Sequence, residues 1–248
     1  MDTNRRALVI CAHDDDEVLG PGGTIRLLAN AGVQITSLIF AEGNEGYLRL
    51  EHRDTIVARR QAERQEAQRL LGTADCIYYA YHDFEDLQSE DVYRQIMRAV
   101  RQVRPQVVFT HLPADYLAHR TLAQIAPEAL WQAGWQCSLE LGEPWPVSEL
   151  YQFPVLELVS KPSHLVDITS TFETKLQAMQ AYHSQHEVVA GILDQLEAKA
   201  RAYGSLVGVR YAEAFVRSGF IPKLLADPLT LWPEAESASP ETTAPEGT

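Results

Sequence analysis

Residues 13–17 read His-Asp-Asp-Asp-Glu and follow the apolar run "ALVICA" directly. Carboxylates packed this densely repel one another unless a cation or ample water lies between them. His13 and Asp16 stand three residues apart where the chain leaves an apparent strand. If the chain turns back there, an imidazole nitrogen and a carboxylate oxygen face one ion, a borderline-soft pair that suits Zn²⁺. A catalytic zinc needs a third protein ligand and an open position for water. His111 and His119, both in the loop after a later apolar run, are the candidates. The plain alternative is a solvated acidic loop with a histidine beside it. The glycines in "GPGGT" raise a second chemistry, since backbone N–H groups at a helix start can cradle a pyrophosphate. Their spacing is not G-x-G-x-x-G, and the carboxylates upstream repel phosphate, so we read them as permitting a tight turn and close packing of the next helix. His183 and His186 share a helix-like spacing but have no third ligand nearby, which assigns them to the surface or a pocket rim. His52, His82 and His164 show no partner pattern.

These residues need a frame. "RALVICA", "VQITSLIFA", "CIYYAY" and "QVVFTH" read as strands, being short, apolar and rich in β-formers. Between and after them lie helical stretches: "GGTIRLLANAG", stopped at Gly32; "RDTIVARRQAERQEAQRLL", closed by Gly72; "EDVYRQIMRAVRQV", ended by Arg104-Pro105; and "RTLAQIAPEALWQAG". Four strand–helix alternations predict an α/β fold: a Rossmann-like, mainly parallel sheet with helices on both faces. Ligands of such sheets bind outside the carboxyl ends of the strands, where the loops carrying His13–Glu17, "YHDFED" and "THLPADYLAHR" converge. Beyond Gly142 the pattern loosens. "SELYQFPVLELV" reads as one or two strands. "STFETKLQAMQAYHSQ" reads as a helix with Ser170 and Glu173 as a capping box, and a second helix spans about 187–203. We assign residues 1–232 to a single domain and 233–248, almost without apolar residues, to a disordered tail.

Composition narrows the function classes. Asp and Glu outnumber Lys and Arg by 34 to 21, which argues against nucleic acid or an anionic membrane as partner. No apolar run approaches the ~20 residues of a membrane span, and the segment before His13 is too short for a signal-peptide core. Cys11, Cys76 and Cys137 form no CxxC motif and read as buried, reduced thiols of a cytoplasmic protein.

The motifs carry a resemblance. "AHDDDEVLGPGGT" is similar to the A-H-P-D-D-E-x-x-G-x-G-G-T signature of the LmbE-like, PIG-L-type zinc-dependent N-deacetylases. "RQAERQEAQRLLG", "FEDLQ", "RPQVVFTH", "LVDITSTFETKLQAMQAYHSQ" and "YAEAF" resemble further stretches of that family in the same order, so the likeness runs from about residue 6 to 217. It implies one Zn²⁺ per chain, ligated by His13, Asp16 and His119. Asp15 would be the general base that takes the proton of the attacking water. Arg60 and Asp86 would contact substrate hydroxyls, Glu17 would pack nearby, and Asp167 would position the following helix. The implied reaction removes an acetyl group from the 2-amino group of an N-acetylglucosamine-type sugar or conjugate, a small-molecule substrate. Members of that family often form homo-oligomers, but the sequence fixes no stoichiometry.

Two departures bear on this reading. Asp14 stands where the family usually has Pro, and we expect it to be solvated. "DYLAHR" is one residue shorter than the family's third-ligand motif and lacks the Asp before the ligand, so His119 is expected to want a supporting partner. Oxyanion stabilisation then falls to His111 or Tyr116, and His111 becomes the alternative third ligand. The shortened loop also motivates a non-catalytic descendant that binds a sugar or a partner. A zinc amidase acting on another amide conjugate is a third reading.

Overall fold

Residues 4–222 are described by a computed structural model; the stretch 233–248, read as a tail, lies outside them. The first apolar run forms β1 (Arg6–Cys11). A one-turn helix α1 (Asp16–Leu19) follows, then α2 (Gly22–Asn30), β2 (Gln34–Ala41) and the long α3 (Ile56–Leu71). Next come β3 (Asp75–Tyr81), α4 (Glu90–Val103), β4 (Val107–His111) and α5 (Leu117–Ala133). The C-terminal half adds β5 (Glu149–Phe153), β6 (His164–Asp167), α6 (Phe172–Gln180), α7 (His183–Val188), α8 (Ile192–Ser205) and β7 (Ala212–Arg217).

The seven strands form a sheet in the order β3-β2-β1-β4-β5-β7-β6. β1 to β5 pair in parallel, whereas β7 is antiparallel to both β5 and β6. The expected α/β, mainly parallel architecture is what forms. Alternation along β1 explains the layers. Leu8 and Ile10 point into a core with Val92, Ile96 and Val100 of α4 and Leu122 and Leu130 of α5. Val9 and Cys11 point the other way, toward Ile25 of α2, Ala67 and Leu71 of α3, and Met179 of α6. A strand covered on both faces needs an unbroken apolar run, and β1 has one.

Several sequence expectations give way. α5 starts at Leu117, not Arg120, which places His119 in its first turn. The strand signal after Gly142, read as one or two strands, resolves to one, β5, before Pro154. Ser170 and Glu173 form no capping box: Thr171 occupies the N-cap, and its Oγ1 donates to Gly23 O at 2.9 Å. The second C-terminal helix begins at Ile192 because Gly191 sits at φ 74° and breaks the chain after α7. Of the cysteines, only Cys11 is fully buried, and all three are free.

The glycines after α1 allow close approach. A Cβ on Gly20 would collide with the ring of Phe153, and one on Gly23 would lie 2.8 Å from Ile168. The N–H groups that open α2 are not free for a phosphate. Gly23 N and Thr24 N each donate at 2.8 Å to the carboxylate of buried Glu213 on β7. Lys175 of α6 holds that carboxylate at 2.6 Å and donates to Gly20 O at 2.8 Å. α2, α6 and β7 are thereby tied beneath the loop that carries the acidic run.

Candidate metal centre

The parallel strands end at one edge; β2 and β3 build out on one side of β1, the chain then crosses back to β4 on the other, and a crevice opens at that switch between β1 and β4. β1 delivers residues 13–16 to it. The turn is closed locally: His13 N donates to Asp16 Oδ2 at 2.7 Å, and Val18 N and Leu19 N donate to Asp15 O at 3.0 Å. The one-turn helix α1 therefore bends Asp16 back toward His13. β4 and the first turn of α5 deliver His111, Asp115, Tyr116 and His119 from the other side.

Three side chains converge. His13, Asp16 and His119 each offer a ligand atom, and these atoms lie within 4.8 Å of one another. His119 Nε2 is 3.1 Å from Asp16 Oδ1. His119 is fully buried, and neither ring nitrogen makes a hydrogen bond among the described residues. A buried imidazole nitrogen beside a carboxylate, with no donor of its own, is a position a metal would satisfy. Two histidines and one carboxylate match a zinc donor set that leaves room for water.

His119 does not lack a supporting partner. Asp115, four residues earlier, places Oδ2 3.3 Å from His119 Nδ1. It is itself fixed by donation from Tyr116 N at 2.8 Å to Oδ1 and from Leu156 N at 3.2 Å to Oδ2. The shortened "DYLAHR" motif thus replaces the missing Asp with one a helical turn back. Burial alone would raise the Asp115 carboxyl, but His119 and these N–H donors hold it down at about 2. Burial works against charge on His119 as well, yet the Asp16 and Asp115 carboxylates lift it to about 9. Asp16 resists its own burial through His119 and His111 and stays well below the usual carboxylate range.

His111 is placed differently from the expectation. It is fully buried behind Asp16 and does not line the cavity, so it cannot reach a substrate oxygen. Its Nε2 accepts from Ala12 N at 3.0 Å and lies 3.2 Å from Asp16 Oδ2. Its ring stacks on His119 with centroids 4.0 Å apart. Burial, and then the charge of His119, pushes His111 down to about 4, so it packs as a neutral ring. Tyr116 does line the cavity. Its hydroxyl is 2.9 Å from His13 Nδ1, and its ring lies 4.0 Å from that of His119. Partial burial, and then Asp16 and Asp15, push the phenol upward, so it keeps its proton.

Asp14 is not solvated. It is 1 % exposed and paired with the Nε of Arg60 at 3.0 Å and, more closely, with Nη2. Arg60 is 4 % exposed, and its Nη2 also lies 3.4 Å from Asp15 Oδ1. Gly43, at φ 70°, makes room for it: a Cβ there would lie 2.5 Å from Arg60 Nε. The hydroxyl of fully buried Tyr182 donates to Asp14 O. Burial pushes the Asp14 carboxyl up against the pull of Arg60. The guanidinium pairing is the dominant contact, and each partner's charge compensates the other's in a site closed to water. Glu17 is buried against Ser37 and Thr73, as expected of a packing acid.

The site opens into a cavity of about 540 Å³ lined by His13, Asp15, Asp16, Arg60, Tyr116 and His119 together with the loop after β3. Asp86, on that loop, is exposed at the rim and accepts from Gln88 N at 2.8 Å. Beside it Phe84 is 89 % exposed at φ 68°, a conformation rare outside glycine. His183 is exposed and lies outside the cavity, and His186 Nε2 meets Met179 O at 3.0 Å. Neither joins the centre.

Sequence reasoning gave five residues no such role. Asp115 is detectable by its i, i+4 spacing to His119. Asp14, Tyr182 and the Lys175–Glu213 pair act through partners 38 to 168 residues away; the stretches that resemble the family contain Lys175, Tyr182 and Glu213 but name no partner for them.

The GlcNAc-PI de-N-acetylase family model, PIG-L, matches residues 8–130. The diacetylchitobiose deacetylase of Thermococcus kodakarensis is 28% identical over 84% of this chain and 81% of its own. Among solved structures, the N,N'-diacetylchitobiose deacetylase of Pyrococcus horikoshii superposes with a TM-score of 0.79 at 28% identity, covering 87% of this chain and 84% of that one. The conserved protein TT1542 of Thermus thermophilus does so with a TM-score of 0.78 at 30% identity, covering 89% and 97%.

Proposed function

The chain belongs to the PIG-L family of GlcNAc-PI de-N-acetylases, and from that premise we propose that it is a zinc-dependent hydrolase that removes an acetyl group from the 2-amino group of an N-acetylglucosamine-type sugar or conjugate. The observation that carries this reading is the convergence of His13, Asp16 and His119 on one point at the floor of an open cavity, with Asp15 beside them.

His13, Asp16 and His119 would hold one zinc ion. Bound there, the ion supplies a Lewis acid that acidifies a water and polarises an amide carbonyl. Asp115, whose Oδ2 lies 3.3 Å from His119 Nδ1, would hold the ring by that charge contact. Asp15 reaches the cavity while Arg60 Nη2 sits 3.4 Å from its Oδ1. That placement suits a general base that takes a proton from the attacking water and returns it to the departing amine. The protonated phenol of Tyr116 lines the same floor and is the donor for the amide oxygen as it gains negative charge. Oxyanion stabilisation is thus assigned to Tyr116 rather than to His111. Asp86 and the exposed ring of Phe84, both lining the cavity, would receive the hydroxyls and the apolar face of a sugar.

The test is acetate release from N,N'-diacetylchitobiose by zinc-loaded protein. Asp15→Asn is expected to lower turnover by about 10²–10⁴-fold with zinc content unchanged. Full turnover in that variant refutes the base assignment, and no acetate from any N-acetylated amino sugar refutes the function.

A further inference from the structure

The family's namesake substrate carries a phosphate beyond the sugar, and a site for such a group needs an available cation. Arg60 is the sole Arg or Lys among the described residues that line this cavity. It is not available: the buried carboxylate of Asp14 takes its Nε and Nη2, and Gly43 and Gly46 close over it. Asp15 and Asp16 offset a divalent ion in the centre. Four further carboxylates line the cavity, those of Glu45, Asp83, Glu85 and Asp86, and no Arg or Lys among the described lining residues faces them. Glu45, Glu85 and Asp86 are exposed. Asp83 turns its oxygens to Gly43 N and Glu45 N, both at 3.0 Å, so it is fixed at the mouth. Phe84 stands among them with 89 % of its surface open at a positive φ. An exposed aromatic held in a sparsely populated conformation is a platform that a ligand would cover.

We propose that this cavity selects N-acetylglucosaminides whose aglycone is neutral or amine-bearing and rejects those bearing phosphate or carboxylate. The inference rests on the deacetylase reading for the reacting end and on the acidic rim for the far end. Asp14 is the residue that sets it, because it cancels the charge Arg60 would otherwise present. Like charges facing across a cleft with low-dielectric walls disfavour both encounter and docking.

The experiment uses three N-acetylglucosaminides that differ only at the anomeric position: the methyl glycoside, the 2-aminoethyl glycoside and the 1-phosphate. For each, kcat/KM is read from acetate release, and Kd by calorimetry on the zinc-loaded, full-length protein. The 2-aminoethyl and methyl glycosides are expected to exceed the 1-phosphate about tenfold or more at low salt. The gap should narrow as salt is raised. Glu45→Gln combined with Glu85→Gln, which keeps the side-chain shapes, should shrink the preference several-fold. Asp14→Asn, which returns a net charge to Arg60, should move it in the same direction. A 1-phosphate that binds or reacts as well as the methyl glycoside overturns the proposal, as does a preference that the double variant leaves unchanged. If no acetate is released from any of the three, the deacetylase reading fails while the order of Kd values still decides this one. If none of the three binds, both readings fall.

Discussion

Asp14 and Asp115 show how much of a site is set by a single residue's partner. Asp14 breaks the family pattern at a position where Pro carries no charge, yet it is as buried as Asp16, two positions on. Its charge is tolerable only because Arg60 lies against it. Asp14→Ala should therefore cost about 3–5 kcal/mol of stability, since it leaves a buried guanidinium uncompensated. The double variant Asp14→Ala/Arg60→Met should recover part of that loss. Urea unfolding of the single and double variants measures both, and strictly additive losses would contradict the pairing. In the proposed centre Asp115 would orient His119 rather than bind the ion. Asp115→Ala should weaken zinc affinity by about 10–100-fold in a chelator competition, with the fold intact by circular dichroism. An affinity equal to wild type would leave His119 self-supporting. His13 and Asp16 stood out because their types are rare together where a strand ends, whereas His111 and His119 both stayed open as third ligand until the family resemblance favoured His119. It did not announce Asp14's burial, because the responsible partner is 46 residues away. Asp115 was legible in its spacing, but the longer family motif points to the residue that is absent.

At the scale of elements, the N-terminal half was the easier to read. β1 to β4 are apolar runs, and their helices stop where Gly32, Gly72 and Pro105 say they should. The C-terminal half hides its strands. β6 has four residues, begins at an exposed His164 and ends at an exposed Asp167, so no apolar run marks it. Thr171, not Ser170, opens α6 because its hydroxyl is used across the fold on Gly23 O. The Lys175–Glu213 pair shows what that half contributes: it closes the N-terminus of α2 and steadies the turn that carries Asp15 and Asp16. Glu213→Ala should strip two N–H groups of their acceptor and leave Lys175 buried without its counter-charge. A loss of about 3–5 kcal/mol is expected, read as a lower urea midpoint. Glu213→Gln, which keeps an acceptor for the helix end, should lose less. Equal losses in the two variants would contradict that ordering.

For the whole molecule, both faces of the sheet are covered and no helix among the described residues is long and apolar enough to cross a membrane. One half-buried cation has a consequence for global stability. Lys199 of α8 donates to Val155 O, and burial, then the charge of Lys175, pushes it down from 10.5 to about 8. Below pH 8 it is charged in both folded and unfolded chains, and the folded state bears the desolvation penalty. Between about pH 8 and 10.5 the unfolded chain binds more protons, so stability from this group rises with pH. Lys199→Met should flatten that rise in a pH series of thermal unfolding, and an unchanged slope would remove Lys199 as its source. The central claim is that His13, Asp16 and His119 form one metal centre, and the most direct test is metal content per chain in protein purified without chelator. We predict about one zinc per chain in the wild type and loss of it in His119→Ala that remains folded. Wild-type protein without zinc even after reconstitution, or a His119→Ala variant that keeps its zinc, would contradict the account.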